Sequence, residues 1–470
     1  MLFNTINYWI FFAVVLVGFY ALPFRYGKIL VLLASYYFYA SWNRRLIVLI
    51  LASTLGDYWL GLALENSATS PRRKFLLLLS LVLNLGLLGF FKYYNFFAAS
   101  FAALLSLPEK SFLLRIVLPI GISFYTFASL SYTIDVYRRK IPAVRSLIDY
   151  AFFIAFFPHL IAGPIIRARQ FMGQVQNWAA PSAIVVQQGI TLILAGLLKK
   201  MVFADRFALI SDSYFNDIAA HPGYLAAWSG TFAFAMQIFF DFSGYTDIAR
   251  GCAKLLGFEF PINFSRPYLA QNAAEFWQRW HITLSHWLRD YLFVPLVRLW
   301  RGHFAAYRAL LITMLLAGLW HGANWTFVLW GAYWAIRMIA WRSFERSTKG
   351  TMLDRTMTSR FFAPINIATT FALVPIGAAF FRARGLTDAK NILRTMFDLG
   401  GPSGEMMLDA GILSLAAIAF VLAVFEERNR VIERIGFAPG WIKVPVYALV
   451  FLALELFSVT EKIPFVYFQF

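Results

Sequence analysis

The 470-residue sequence has a single cysteine, Cys252, so it can form no internal disulfide and hold no paired-cysteine metal or redox site. Charge is also scarce. Asp, Glu, Lys and Arg make up 14% of the chain, against about 25% in an ordinary soluble domain. No P-loop, Rossmann glycine pattern or nucleophile elbow is present, which leaves nucleotide hydrolysis and a soluble-type triad without support. No internal repeat or low-complexity tract is evident, which argues against a transporter built from two related halves. The segment from Met1 to Ala21 lacks a basic start and a small-residue cleavage site, so it reads as a retained first helix and not as a removed signal peptide.

What the chain does have is apolar and aromatic bulk. It is 60% hydrophobic, with 50 Phe, 22 Tyr and 15 Trp, and its mean hydropathy is +0.63. A soluble protein this apolar would need an implausibly large core for its length. Apolar runs recur from end to end, the clearest at 8–23, 27–42, 46–64, 74–91, 113–134, 148–162, 183–204, 224–240, 304–320, 324–341, 361–381, 409–425 and 441–459. A helix needs ~20 residues to cross the hydrocarbon. Several runs fall short and are read as tilted, re-entrant or buried segments. The expectation is an all-α polytopic integral membrane protein of about eleven to thirteen embedded helices, forming one domain over 1–470.

The formal charge of +18 would suggest nucleic acid in a soluble protein. Here the basic residues fall between apolar runs, as in Arg25/Lys28, Arg72/Arg73/Lys74 and Arg138/Arg139/Lys140. That placement fits cytoplasmic loops facing anionic lipid. Loops 24–28 and 71–74 lie two helices apart, so both can be cytoplasmic, with the N-terminus outside; Arg44 and Arg45 then stand against the charge rule.

The stretch 241–303 differs from the rest. It is polar, aromatic and interrupted by Pro261, Pro267 and Pro295, and it contains DFSGYTD, NFSRPY and EFWQRWHITLSHWLRDYLFVP. It is read as short amphipathic or re-entrant helices packed into the protein. Pro158 and Pro164 similarly break FFPHLIAGPIIR at 156–167.

The six histidines sort by position. His221 and His303 sit in expected loops and read as solvated. His159 lies beside Pro158 in an apolar segment, where a hydrogen-bonded structural role outweighs a catalytic one. His321 ends the run ALLITMLLAGLW and is followed by GANW. A histidine at membrane depth is costly unless it pairs or lines a cavity, so function is the default reading, against that of a hydrogen-bonded residue at a helix end. Gly318 and Gly322 permit a close approach, and Asn324 can cap the next helix. His281 lies in RWHITLSHW, with His286 five residues on; the pair would occupy different faces of a helix, unlike the i, i+4 pair of a zinc site, and no third ligand is in metal spacing. His281 reads equally as an interfacial helix residue. Asp241 and Asp247 flank Ser243 and Gly244, either as a relay or as anchors for Arg250 or Arg266.

Together, SFYTFASLSYTIDVYRRK, FFPHLIAGPIIR, DFSGYTDIARG, NFSRPYLA, EFWQRWHITLSHWLRDYLFVPL and GLWHGANWTFVLWG resemble segments of the membrane-bound O-acyltransferases. The bacterial alginate O-acetyltransferase branch is the nearest. It includes relatives acting on peptidoglycan and cellulose and, more distantly, the D-alanyl transferases of teichoic acids. The strong motifs span about 120–335. The resemblance implies that His321 is catalytic, with His281 near the same site. It implies a ring of helices around a thinned centre, with a through-tunnel. It implies acetyl-CoA as donor, no metal, and a place in the bacterial inner membrane. It also implies a periplasmic or extracellular partner with a serine-esterase-like domain, which passes the acyl group to an exported polysaccharide. The ending FVYFQF looks like the acyl-carrying tail of this branch, which would make Tyr467 the acyl carrier, its hydroxyl activated by His321. The bland alternative for 464–470 is a packed aromatic tail that closes the last helix.

Two other functions remain open at this point. A polysaccharide transporter would also place polar groups at membrane depth, but it predicts substrate flux without consumption of acyl donor. A D-alanyl transferase would take its acyl group from a carrier protein; chain length and the WHGANW context favour acetyl transfer.

Overall fold

The computed structural model of the chain describes every residue except 2, 109–111, 303, 460, 462 and 469–470. Among the described residues the only regular structure is helical. Six helices are long and apolar enough to cross a membrane: Arg44–Asn66, Ser70–Leu104, Tyr224–Leu255, Ala363–Arg382, Ala410–Asn429 and Gly440–Phe457. Ile6–Ala21 and Ala305–His321 are apolar but shorter. Other expected runs form shorter helices because of local breakers. The run 113–134 becomes helical only at Ile122, after Gly121 takes a left-handed φ of 74°. The run 148–162 breaks at Phe156, ahead of Pro158.

Large apolar side chains stay exposed along these helices, among them Val14, Val17, Leu78, Val82, Val421 and Leu452. In water such a surface would aggregate; lipid tails satisfy it. The chain is a polytopic membrane protein.

It folds as two compact units. The first comprises 1–193 and 248–261. Its buried polar centre lies among the helices Ile47–Asn66, Ser70–Leu88 and Ile122–Tyr137. Asp57 there accepts hydrogen bonds from Ser80 (2.6 Å) and Asn84 (2.7 Å). Arg73 turns inward and donates to the carbonyls of Leu64, Val136 and Tyr137, closing two helix ends.

The second unit comprises 194–247 and 262–470. Its core is aromatic, with Phe276, Trp277, Trp280, Trp330 and Trp334 buried together. The helices Ala305–His321 and Trp325–Thr348 form a tight hairpin here. A Cβ at Gly318 would lie 2.1 Å from the Phe327 carbonyl oxygen, and one at Gly331 would lie 2.2 Å from that of Met314. Only glycine permits this backbone contact.

The expectation of short helices across 241–303 is met only in part. Residues 267–299 do form a chain of short helical pieces. DFSGYTD, however, lies inside the continuous 32-residue helix Tyr224–Leu255. Gly244 is no breaker there. It brings the helix against the backbone of Gly196, where a Cβ would approach the carbonyl oxygen to 2.7 Å.

Candidate active site

His321 is the last residue of the helix Ala305–His321, and the chain turns at once into Trp325–Thr348. Asn324 caps that second helix by accepting from the Thr326 amide at 3.0 Å, as its position predicts. The glycine-locked hairpin therefore fixes the height of His321. Its imidazole is buried, with ring centroids 4.8 Å from Trp330, 4.8 Å from Trp320 and 5.0 Å from Phe381.

Tyr467 also stands beside that histidine. The tail forms a single 3-10 turn, Val466–Phe468, and the Tyr467 ring lies 5.7 Å from the His321 ring. The ring is partly accessible, while its hydroxyl is buried. Burial pushes that hydroxyl above its usual pKa, so it needs a base before it can act as a nucleophile. His321, Tyr467, Trp280, Trp330, Trp334 and Phe381 all line one small cavity of about 40 Å³. By volume it would hold only a few water-sized groups.

His281 comes into the same cluster through Phe242, whose ring is 4.8 Å from His281 and 4.6 Å from Tyr467. His281 also lies 6.0 Å from Trp320. It precedes the helix Ile282–Leu288 with a left-handed φ of 41°, an uncommon conformation for a side-chain-bearing residue. Asn263, which the sequence reading did not single out, explains its orientation. The Asn263 Oδ1 accepts from the Thr283 amide (3.2 Å) and hydroxyl (3.0 Å) and lies 3.1 Å from His281 Nδ1. Two donors from Thr283 identify that atom as the oxygen. Nδ1 must then carry the proton, and Nε2 is left with its lone pair. Nε2 is buried and has no hydrogen-bond partner among the described residues. Burial pulls His281 down to about 3, so the ring stays neutral across the physiological range.

The sequence left the acids of DFSGYTD as a relay or as anchors for Arg250 or Arg266; the structure gives each of them a lysine partner. Asp241 pairs with Lys200 at 3.0 Å and Asp247 with Lys199 at 2.6 Å. Arg266 reaches Glu426 and Glu427 instead. The two consecutive lysines sit in a π-helical turn, Lys199–Ala204, inside an apolar run. That doublet was the missed signal, since cations at membrane depth demand acids. One helical turn before Asp241, Gln237 is buried, and neither of its amide atoms has a hydrogen-bond partner among the described residues.

His159 belongs to the first unit. It is buried among Phe156, Phe171 and Phe260, with Nε2 at 3.0 Å from the Phe153 carbonyl oxygen. His221 is half-buried beside Ser213, and His303 lies outside the described residues.

A buried histidine and tyrosine around an apolar cavity in a polytopic helical protein suit acyl transfer inside a membrane. The family model for membrane-bound O-acyltransferases matches residues 74–373, and the chain belongs to that family. It is an O-acyltransferase, and its relatives place it in the O-acetylating branch. It is similar to the probable alginate O-acetylase AlgI of Pseudomonas putida, at 37% identity over all of both chains. It is 40% identical to the probable alginate O-acetylase AlgI of Pseudomonas aeruginosa, over 90% of this chain and 80% of that one. The peptidoglycan O-acetyltransferase of Helicobacter pylori is 33% identical over 86% of this chain and 81% of its own.

Proposed function

We propose that this chain carries an acetyl group from cytosolic acetyl-CoA across the bacterial inner membrane toward an exported polysaccharide such as alginate. His321 acts as base and Tyr467 as the acyl carrier. All of 1–470 serves as one catalytic domain around a through-tunnel. The observation that carries this reading is the Tyr467 ring 5.7 Å from the His321 ring, both lining one small apolar cavity. The alginate O-acetylase relatives support the acceptor class.

The steps balance as follows. His321 takes the phenolic proton while the Tyr467 oxygen attacks the thioester carbonyl. The new O–C bond forms, the C–S bond breaks, and CoA leaves as thiol with the proton returned by His321. The tyrosyl ester is then attacked by the serine of a periplasmic serine-esterase-like partner. Tyrosine leaves and is reprotonated, and the partner passes the acetyl group to the sugar. A phenol, with an ordinary pKa of ~10, leaves readily enough for the second transfer. His281 contributes an acceptor, the Nε2 lone pair, near the same ring cluster. A covalent relay serves an external acceptor without moving CoA.

Tyr467→Phe tests this directly, because it deletes only the hydroxyl. Glycan acetylation should stop with expression unchanged. In the unsubstituted chain lacking its partner, mass spectrometry should find acetyl on the C-terminal peptide. Full activity of Tyr467→Phe, or no acetyl on that peptide, would sink the relay.

A further inference from the structure

The carrier reading leaves one question open: what holds a short, irregular tail at membrane depth with its tyrosine in register? Its exposed amides would be costly in an apolar setting. The second unit offers one ionic device at the tail. Asp241 is 1% exposed, and its Oδ2 accepts the Val466 backbone N–H at 2.7 Å. Its other oxygen lies 3.0 Å from Lys200 Nζ, and Lys200 in turn pairs with Asp205 at 2.8 Å. All three side chains are buried.

We propose that Asp241, held by Lys200, is the docking point of the C-terminal tail: its carboxylate grips the Val466 N–H and so sets Tyr467 beside His321. This rests on the carrier reading for its purpose, though not for its geometry. Asp241 is a positioning residue: its carboxylate bonds the tail backbone and Lys200 and acts on the chemistry through Tyr467.

Three features make the device specific to the tail. The grip is on backbone, so it fixes register one residue before the tyrosine and does not depend on the side chain at 466. The neighbouring residues of the same helix receive the flanking rings. Phe242 lies 4.6 Å from Tyr467, and Tyr245 lies 4.6 Å from Phe465. The carboxylate is delivered to this depth by close backbone packing. Gly244 meets the Gly196 carbonyl and Lys199–Lys200, which brings Lys200 across to Asp241. A hydrogen bond to a buried carboxylate is among the stronger kinds, while lysine between two acids keeps the group's charge compensated.

The decisive variant changes one atom group. Replacing Val466 by its α-hydroxy acid turns the amide into an ester, removing the N–H and leaving Asp241, Lys200 and every side chain in place. In the full-length chain in detergent, acetyl appearing on Tyr467 after a pulse of acetyl-CoA should fall about 10- to 100-fold, the loss expected for one charge-assisted hydrogen bond. The thermal midpoint should hardly move. Unchanged acetylation would overturn the proposal.

Tail docking itself is read independently of the chemistry. On a Cys252→Ser background, Val466→Cys keeps the N–H and places a thiol where the buried Val466 side chain sits. Adding Asp241→Asn should speed maleimide labelling by a similar factor. Equal rates with Asp and Asn would sink the docking role. Faster labelling in Asp241→Asn together with full activity in Tyr467→Phe would leave the docking point standing and remove the carrier reading.

Discussion

Each unit buries a carboxylate and a histidine, and it uses them differently. In the first unit, Asp57 is surrounded by neutral donors, Ser80 and Asn84, and His159 is tied to the Phe153 carbonyl. Within those bonds the polar atoms serve to join helices. In the second unit, Asp241 is balanced by a lysine and spends one oxygen on a backbone N–H of the tail. His281 is fixed at Nδ1 by Asn263 and keeps Nε2 without a partner among the described residues. A membrane protein can afford buried polar groups as glue when neutral partners satisfy them. In the second unit the lysine-balanced carboxylate and the open Nε2 stand against the ring cluster around Tyr467, where the chemistry is proposed.

The sharpest way to break that contrast is to remove the proposed base. His321→Ala should leave a folded, inserted protein whose acetyl transfer falls by about 10² to 10⁴, the usual worth of general-base catalysis. Glycan acetylation near normal in cells making only this variant would remove His321 from the mechanism. His159→Phe, by comparison, should retain most activity per folded molecule.

Next in size is the tautomer lock. Asn263→Ala should lower turnover by roughly tenfold to a hundredfold, since it removes one positioning hydrogen bond to an otherwise well-placed ring. His281→Ala should be at least as damaging. The two together should cost no more than His281→Ala alone if Asn263 acts through the histidine. Additive losses in the double variant would separate them. Acidity offers a second readout. His281 is pulled down to about 3 by burial, so the folded state resists its protonation. That contributes stability which is fully present above ~6.5 and is lost as pH falls toward 3. Replacing His281 by Gln should flatten the acid-side decline of the thermal midpoint; an unchanged slope would show that the ring is not a buried neutral group.

The smallest effect on chemistry belongs to the first unit. Asp57→Asn replaces two hydrogen bonds to a buried carboxylate, from Ser80 and Asn84, with weaker neutral ones. A cost of about 1–3 kcal/mol is expected, seen as a lower melting temperature, with turnover per folded molecule unchanged. A specific loss of turnover would mean that the glue reading of this cluster is wrong. Orientation can be checked on the same unit. Arg72 is exposed whereas Arg73 is buried among helix-end carbonyls, so a cysteine at 72 is the informative probe. An impermeant thiol reagent added outside should not reach it if this helix start, residues 71–74, is cytoplasmic.

The membrane class was legible in composition alone, because hydropathy survives any arrangement of helices. His321 stood out as a candidate because a histidine between two apolar runs has few inexpensive explanations. What could not be read was which opposite charges meet. Asp241 and Lys200 lie far apart in sequence, and only helix packing at Gly196 and Gly244 brings them together. Gly244 shows the same limit: in lipid a glycine's smallness serves close contact as often as a turn, and only the packed helices tell which. Asn263 escaped notice because its importance lies in the ring it orients.

Gln237 carries a consequence for anyone evolving this protein for use in detergent. A buried amide without partners costs the fold on the order of 1–3 kcal/mol, and it sits one turn from Asp241. A selection for heat resistance should therefore find Gln237→Leu or Gln237→Met early. Such a screen doubles as an assay of purpose. Sturdier clones that still acetylate would mark the amide as an accident of descent; sturdier clones that have fallen silent would show that its discomfort was being kept for a visitor.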